Sequence, residues 1–192
     1  MSDVQTTAEA TPKMLNGVNV TAILGAREAL EKAPEAAEFV WKATSEWVGG
    51  VQTRTTVNKY FGLGQDHARS KTFKLETDHP EVFAAPDAAP TPVEMVLAGL
   101  AGCLTAGIAS VAENRGVKLR SVKATVEGDM NLYGILGIDT ETRNGFRSVR
   151  VKYDIDADAD ADDIAAIVAQ SQKRSAVFDI MTNPTNVFVT VK

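Results

Sequence analysis

One cysteine in 192 residues leaves the chain no internal disulfide to fold around. A lone thiol suits a reducing compartment, so a cytoplasmic location is expected. Histidine is almost as scarce. His67 and His79 stand alone, with no cysteine or further histidine at metal-ligand spacing, and no metal or other cofactor is expected. Basic residues do not outnumber acidic ones: 20 Lys and Arg face 25 Asp and Glu, for a net charge of −5. Without a basic face there is nothing to hold a phosphate backbone, which argues against nucleic acid. A long uninterrupted apolar run is also missing. The best stretch, Val93–Val111, is diluted by Gly, Ala, Thr and Glu94, so no membrane span is expected. Met1–Thr11 has neither a basic start nor an apolar stretch after it, unlike a signal peptide.

What is present is the composition of an ordinary globular protein, 44% hydrophobic and 23% charged, enough for one core. Residues 1–13 are rich in Ser, Thr, Ala and Asp and are expected to be a disordered tail. In Val20–Lys32, Ile23, Leu24, Arg27 and Leu30 recur at helical spacing ahead of Pro34, which predicts a short amphipathic helix within an extension spanning 14–37. From Glu38 the texture turns to strand. Phe39, Trp41, Ala43, Ser45 and Trp47 alternate on one face, Gly49-Gly50 marks a hairpin into Val51–Tyr60, and a turn at Gly62–Asp66 leads to a strand at Lys71–Glu76.

The proline-rich stretch Asp78–Pro92 reads as an irregular connection, and Thr91–Arg115 as the longest helix, closed by Asn114 and Gly116. Strands are then expected at Val117–Leu132 and Phe146–Ile155, either side of a Gly-rich turn around Tyr133–Asp139. A helix at Asp162–Lys173, a short apolar turn at Ala176–Met181 and a final strand at Val187–Val191 complete the order. Helices and strands do not alternate regularly, so the fold class is α+β.

Four features invite a chemical reading. Thr91-Pro92-Val93-Glu94 forms a capping box with proline at the first helical position. Glu94 could instead be a catalytic carboxylate, but nine residues at about 100° each turn it away from Cys103, and the cap is the better reading. Cys103 shares a helical face with Val96, Gly99, Leu100, Ala106, Gly107 and Ser110. Glycines at 99, 102 and 107 each cost about 1 kcal/mol of helix propensity, an expense that fits a close-approaching backbone or ligand. Cys103 is then either a small buried hydrophobe or a nucleophile with a cation nearby to lower its pKa. Asp156, Asp158, Asp160 and Asp162 alternate like a calcium loop, yet Ala161 and Ile167 stand where its glycine and bidentate glutamate belong. Gly62-Leu63-Gly64 lies between strands and is no dinucleotide fingerprint.

The run Pro92-Val93-Glu94-Met95-Val96-Leu97-Ala98-Gly99-Leu100-Ala101-Gly102-Cys103-Leu104 resembles the central-helix motif of the OsmC/Ohr family, the osmotically inducible and organic hydroperoxide resistance proteins. The resemblance extends from about Glu38 to Lys192, and the extension before it resembles that of a larger OsmC-like subgroup. It implies an OsmC-like domain over 38–192, with curved antiparallel sheets around a long central helix at about 91–115, in an intertwined homodimer. It also implies that Cys103 attacks the O–O bond of a small apolar hydroperoxide and becomes a sulfenic acid. Catalytic members resolve that intermediate with a second cysteine, which belongs in Lys173-Arg174-Ser175-Ala176-Val177, where Ser175 stands instead. Their acidic residue directly follows the helix proline; here Val93 does, with Glu94 one step on. Their thiolate-stabilising arginine follows the hairpin glycines; here Val51 does, and Arg54 (or Arg69) is the candidate.

The function expected is therefore that of a one-cysteine thiol peroxidase, reducing organic hydroperoxides in stress defence with an external thiol or dithiol as reductant. The alternative is a non-catalytic module that binds an apolar or acyl ligand in the pocket at the dimer interface, with Cys103 merely lining it. A third reading is a structural relative without small-molecule activity.

Overall fold

A computed structural model describes residues 14–191. The reading of 1–13 as a disordered tail, and of Met1–Thr11 as no signal peptide, falls outside the described residues. In chain order the elements are α1 (Val20–Lys32), β1 (Val40–Trp41), β2 (Thr44–Gly49), β3 (Gln52–Gly62), β4 (Gln65–Thr77), α2 (Pro92–Asn114), β5 (Leu119–Asp129), β6 (Ser148–Ala157), α3 (Ala161–Lys173) and α4 (Ala176–Thr182). Strands and helices are segregated, as an α+β fold requires. β1 and β2 both pair antiparallel with one edge of β3, and β4 pairs with the other; β5 and β6 form a separate antiparallel ladder.

Local chemistry accounts for the ends of α2. Thr91 and Glu94 form the expected capping box over Pro92. At the other end Gly116 takes a left-handed φ of 70°. The Val117 N–H then reaches the Ala112 carbonyl at 2.9 Å and the Gly116 N–H that of Glu113 at 3.0 Å, a Schellman closure. By length and composition alone α2 is apolar enough to cross a membrane, a property that the core helix of a globular fold shares, so its diluted composition does not by itself exclude a span. Its buried stripe is Leu100, Leu104, Ile108 and Ala112, residues four apart that face α3 and β5. Ile108, Ala112 and Ile167 form the innermost cluster, ringed by Val122, Tyr153, Ile155 and Val168.

Only Gly107 meets the close approach expected of the α2 glycines. A Cβ there would lie 2.3 Å from Ser171 Oγ, whereas Gly99 and Gly102 face open space. Ser171 occupies that notch and donates to the Leu104 carbonyl at 2.7 Å, joining α3 to α2.

Other expectations shift. The first hairpin turns at Gly50-Val51, one residue later than expected, with Gly50 at φ 55°. Trp41 pairs with Tyr60 but Thr44 with Thr56, so β3 carries one extra residue between the two pairings. β4 starts at Gln65 rather than Lys71, directly after a two-residue turn at Leu63-Gly64 with both φ positive. Ala176–Thr182 is a helix, not a turn, because Ser175 caps it. Val187–Val191 lies in no strand. Asp156 belongs to β6; Asp156 and Asp158 both pair with Arg120, while Asp160 caps α3.

The extension before β1 is stitched to the layer below it. The Leu15 and Asn16 N–H groups donate to the Glu113 carboxylate. The Asn16 side chain brackets the start of β5, donating to the Val117 carbonyl and accepting from the Leu119 N–H, both at 2.8 Å. By contrast the sheet of β1–β4 packs mainly on itself. Trp41, Trp47, Phe73 and Leu75 remain exposed on it, Trp47 at 75%.

Candidate functional site

Cys103 sits in the fourth turn of α2, half-buried at the edge of the stripe that faces the core. Seventy-two residues later, Ser175 ends the chain's passage from α3 into α4 and is only 6% exposed. Its hydroxyl donates to Cys103 Sγ at 3.1 Å and accepts from the Phe178 N–H at 3.1 Å. One oxygen thus caps a helix and touches the sulfur. Burial pushes the Cys103 thiol up, but the Ser175 hydroxyl and the backbone of Val177 and Ala176 more than offset it. The net direction is downward, towards the thiolate.

Tyr153 is the neighbour that the sequence did not announce. It points inward from β6, in step with Val149, Val151 and Ile155. Its hydroxyl is covered and has no well-formed hydrogen-bond partner among the described residues. Burial holds the phenol above its ordinary value; the Thr105 hydroxyl nearby offsets part of this, and a charge on Cys103 adds to it. A buried tyrosine tip at an inward strand position was the available signal, but nothing local tied it to a cysteine fifty residues earlier.

The remaining candidates lie elsewhere in the protomer. Arg54, on β3, pairs with Glu76 across the strand at 2.9 Å and is well exposed. Arg69 stacks over Tyr60 and Phe73, with its Nε covered and unpartnered among the described residues. Both belong to the sheet that packs mainly on itself, so within one protomer neither cation serves the sulfur. Glu94 is occupied as a cap, accepting from the Thr91 N–H at 2.7 Å and the Thr91 hydroxyl at 2.8 Å. Those two bonds hold its carboxyl below the usual value.

A cleft of about 560 Å³ opens beside this site. Val93, Val96 and Leu100 of α2 form one wall; Phe178, Ile180 and Met181 of α4 form another. Leu100 lies one turn before Cys103, and Phe178 is the residue whose N–H meets Ser175, so the cleft's inner end abuts the sulfur's surroundings. Its rim is the segment Arg143–Arg147, and neither arginine was marked by the sequence.

A long capped helix crossing a two-stranded ladder, with one helix-borne thiol at its edge, defines a single-cysteine α+β protein. The profile of the family described as OsmC-like protein matches residues 85–190, more than half of the chain, and the chain belongs to that family. Among solved structures, the OsmC-like protein of Mycoplasma pneumoniae is similar with a TM-score of 0.57 at 15% identity, covering 73% of this chain and 86% of that one. The organic hydroperoxide resistance protein OsmC of Legionella pneumophila is similar with a TM-score of 0.52 at 19% identity, covering 74% and 89%. At these identities the likeness is one of fold. Comparison with curated proteins finds no match.

Proposed function

We propose that this protein is a one-cysteine, thiol-dependent peroxidase that reduces organic hydroperoxides in stress defence. The observation that carries the reading is the Ser175–Cys103 hydrogen bond. A hydroxyl placed 3.1 Å from the sulfur favours the thiolate, and serine at this position cannot form a disulfide with it. The Cys103 thiolate attacks one peroxide oxygen, an S–O bond forms, the O–O bond breaks, and the departing alkoxide takes a proton to leave as an alcohol. Sulfur is oxidised by two electrons to the sulfenic acid as the peroxide is reduced. The Tyr153 hydroxyl, covered and unpartnered, is a donor available to the departing oxygen. An external thiol then displaces water to give a mixed disulfide, and a second thiol releases Cys103.

The working unit is a homodimer in this reading. One copy's accessible surface of 14487 Å² compares with about 8,900 Å² for a compact chain of 20.5 kDa. The fourteen residues outside the description could supply at most about 2,200 Å² of the difference. The excess is more than an obligate interface usually takes from one partner, about 1,000–2,500 Å². The surfaces left open are apolar: the β1–β4 sheet with Trp41 and Trp47, the Gly99 and Gly102 side of α2, and Val187, Phe188, Val189 and Val191. A second copy that covers them would also bring its own β1–β4 sheet near the first copy's α2. That is the route by which Arg69 or Arg54 could reach Cys103.

Non-catalytic ligand binding is the second reading, favoured by a cleft whose lining does not include Cys103. The two separate on one experiment. Stoichiometric cumene hydroperoxide followed by dimedone gives a sulfenate adduct on Cys103 if the protein is a peroxidase. An unmodified Cys103 in folded protein overturns that reading, and a Cys103→Ser variant that retains an apolar ligand then supports the binding module.

A further inference from the structure

A second cleft, of about 340 Å³, opens on another face of α4 from the apolar one. Gln172 and Lys173 from the last turn of α3 form one side, Asp179 and Asn183 the other, and Ser175 lies at the junction of the two helices. Asp179 is two residues from Met181, which lines the apolar cleft, so the two point about 160° apart around an ideal helix. The Asn183 N–H donates to the Asp179 carbonyl at 2.9 Å, which keeps Asn183 on the side of Asp179. Where the first cleft presents hydrocarbon, this one presents amides and charge.

The charges are of opposite sign and stand apart. Lys173 and Asp179 line the same cleft, yet neither makes an ion pair, with the other or elsewhere, among the described residues. The Asp179 carboxylate accepts from the Asn183 amide at 2.9 Å through Oδ1 alone, which leaves Oδ2 for another donor. Two fixed opposite charges that do not neutralise each other suit a ligand that spans them, with a carboxylate for Lys173 and an ammonium for Asp179. The mechanism above uses neither residue, but it does require an external thiol.

Ser175 connects the cleft to the sulfur. It lines the cleft, and its hydroxyl lies 3.1 Å from Cys103 Sγ, so a thiol seated against Ser175 is one side chain away from the reacting atom. We infer that this second cleft seats the external reductant, and that the reductant is a small amino-acid thiol, carrying an ammonium and a carboxylate on one frame. The thiol sulfur attacks the Cys103 sulfenic acid, an S–S bond forms, the S–O bond breaks, and the hydroxyl leaves with the thiol proton as water. A second thiol then attacks the sulfur of the first, returns Cys103 as the thiol and leaves as the symmetric disulfide. Two thiols are oxidised for each sulfenic acid reduced.

The role of the cleft rests on the peroxidase reading, but its test needs no peroxide. On the full chain, methyl methanethiosulfonate converts Cys103 to the methyl disulfide, and thiols then release it. Four are compared at equal thiolate concentration: cysteine, cysteamine, 3-mercaptopropionate and 2-mercaptoethanol. Each rate is divided by the same thiol's rate with the denatured chain, which removes intrinsic reactivity. Cysteine is expected to be about fivefold faster than either single-charge thiol, the size that one partly exposed ion pair supplies, and 2-mercaptoethanol to be slowest. In Lys173→Gln the advantage over cysteamine should vanish, and in Asp179→Asn the advantage over 3-mercaptopropionate. Lys173→Arg and Asp179→Glu should keep both. Corrected rates that ignore the thiol's charge overturn the inference, as does a preference unchanged in both neutral variants. A Cys103 that the reagent does not label in folded protein overturns it as well. If cumene hydroperoxide yields no sulfenate yet the charge preference holds, the peroxidase reading fails and the thiol site stands; sulfenate without the preference gives the reverse.

Discussion

Replacing Ser175 by alanine removes two hydrogen bonds with one atom, and their consequences can be measured separately. The bond accepted from the Phe178 N–H caps α4, and losing such a cap costs about 1 kcal/mol. The bond donated to Cys103 Sγ acts on the thiolate. Hydrogen bonds to charged groups contribute about 1.5–3 kcal/mol, and the low end applies because the sulfur is partly open to solvent. Since about 1.4 kcal/mol is tenfold in an equilibrium, the thiolate fraction at neutral pH should fall about tenfold in Ser175→Ala. The rate with cumene hydroperoxide should follow it. The assays are ultraviolet titration of the thiolate and stopped-flow peroxide consumption, with thermal unfolding reporting the cap as a loss of about 2–4 °C.

The sign with pH follows from the downward shift of Cys103 from its ordinary value of 9.0. A group whose folded value is depressed stabilises the fold fully above the ordinary value, and that contribution is lost as pH falls through the lower folded one. The stability gap between the unaltered protein and Ser175→Ala should therefore widen in alkali. Ser175→Thr should restore much of both effects. An unchanged thiolate titration in Ser175→Ala, with only the cap lost, would refute the reasoning. Ser175→Cys gives an independent check of proximity, because an oxidant should close an intramolecular disulfide to Cys103.

Three further outcomes concern the frame. Gly107→Ala should destabilise by about 2 kcal/mol despite its better helix propensity, because the new methyl meets Ser171 Oγ at 2.3 Å; a Gly107→Ala, Ser171→Ala double variant should recover most of the loss, measured by denaturant unfolding. Glu94 lies below its usual 4.5 because of the Thr91 N–H and hydroxyl, so its contribution is full above 4.5 and is lost as pH falls through the lower folded value; Glu94→Gln should show a shallower fall in Tm on acidification below pH 4.5 than the unaltered protein. Asn16→Ala removes the two bonds that bracket Val117 and Leu119, and hydrogen exchange at the Leu119 amide should quicken about tenfold for each 1.4 kcal/mol lost.

How much of this was legible depended on distance along the chain. The cap of α2 was readable because Thr91, Pro92 and Glu94 settle it among themselves. Val20–Lys32 was readable because its periodicity is complete within thirteen residues. By contrast, the seven residues of α4 are too few to show a helical period, and only its serine cap distinguishes it from a turn. Val187–Val191 has the apolar content of a strand but pairs with no strand among the described residues. At the site, the motif of α2 pointed to Cys103 and, through resemblance, to Ser175. Tyr153 and the two rim arginines stayed hidden, since their nearness to α2 is made by folding and not by spacing.

The most direct test of the central claim is the reaction of Cys103 with one equivalent of cumene hydroperoxide, read by intact-protein and peptide mass spectrometry after dimedone trapping. The account predicts a sulfenate adduct confined to Cys103, formed faster as pH rises through the lowered thiol value. An unmodified Cys103 in folded protein, at a pH where its thiolate is present, would contradict it.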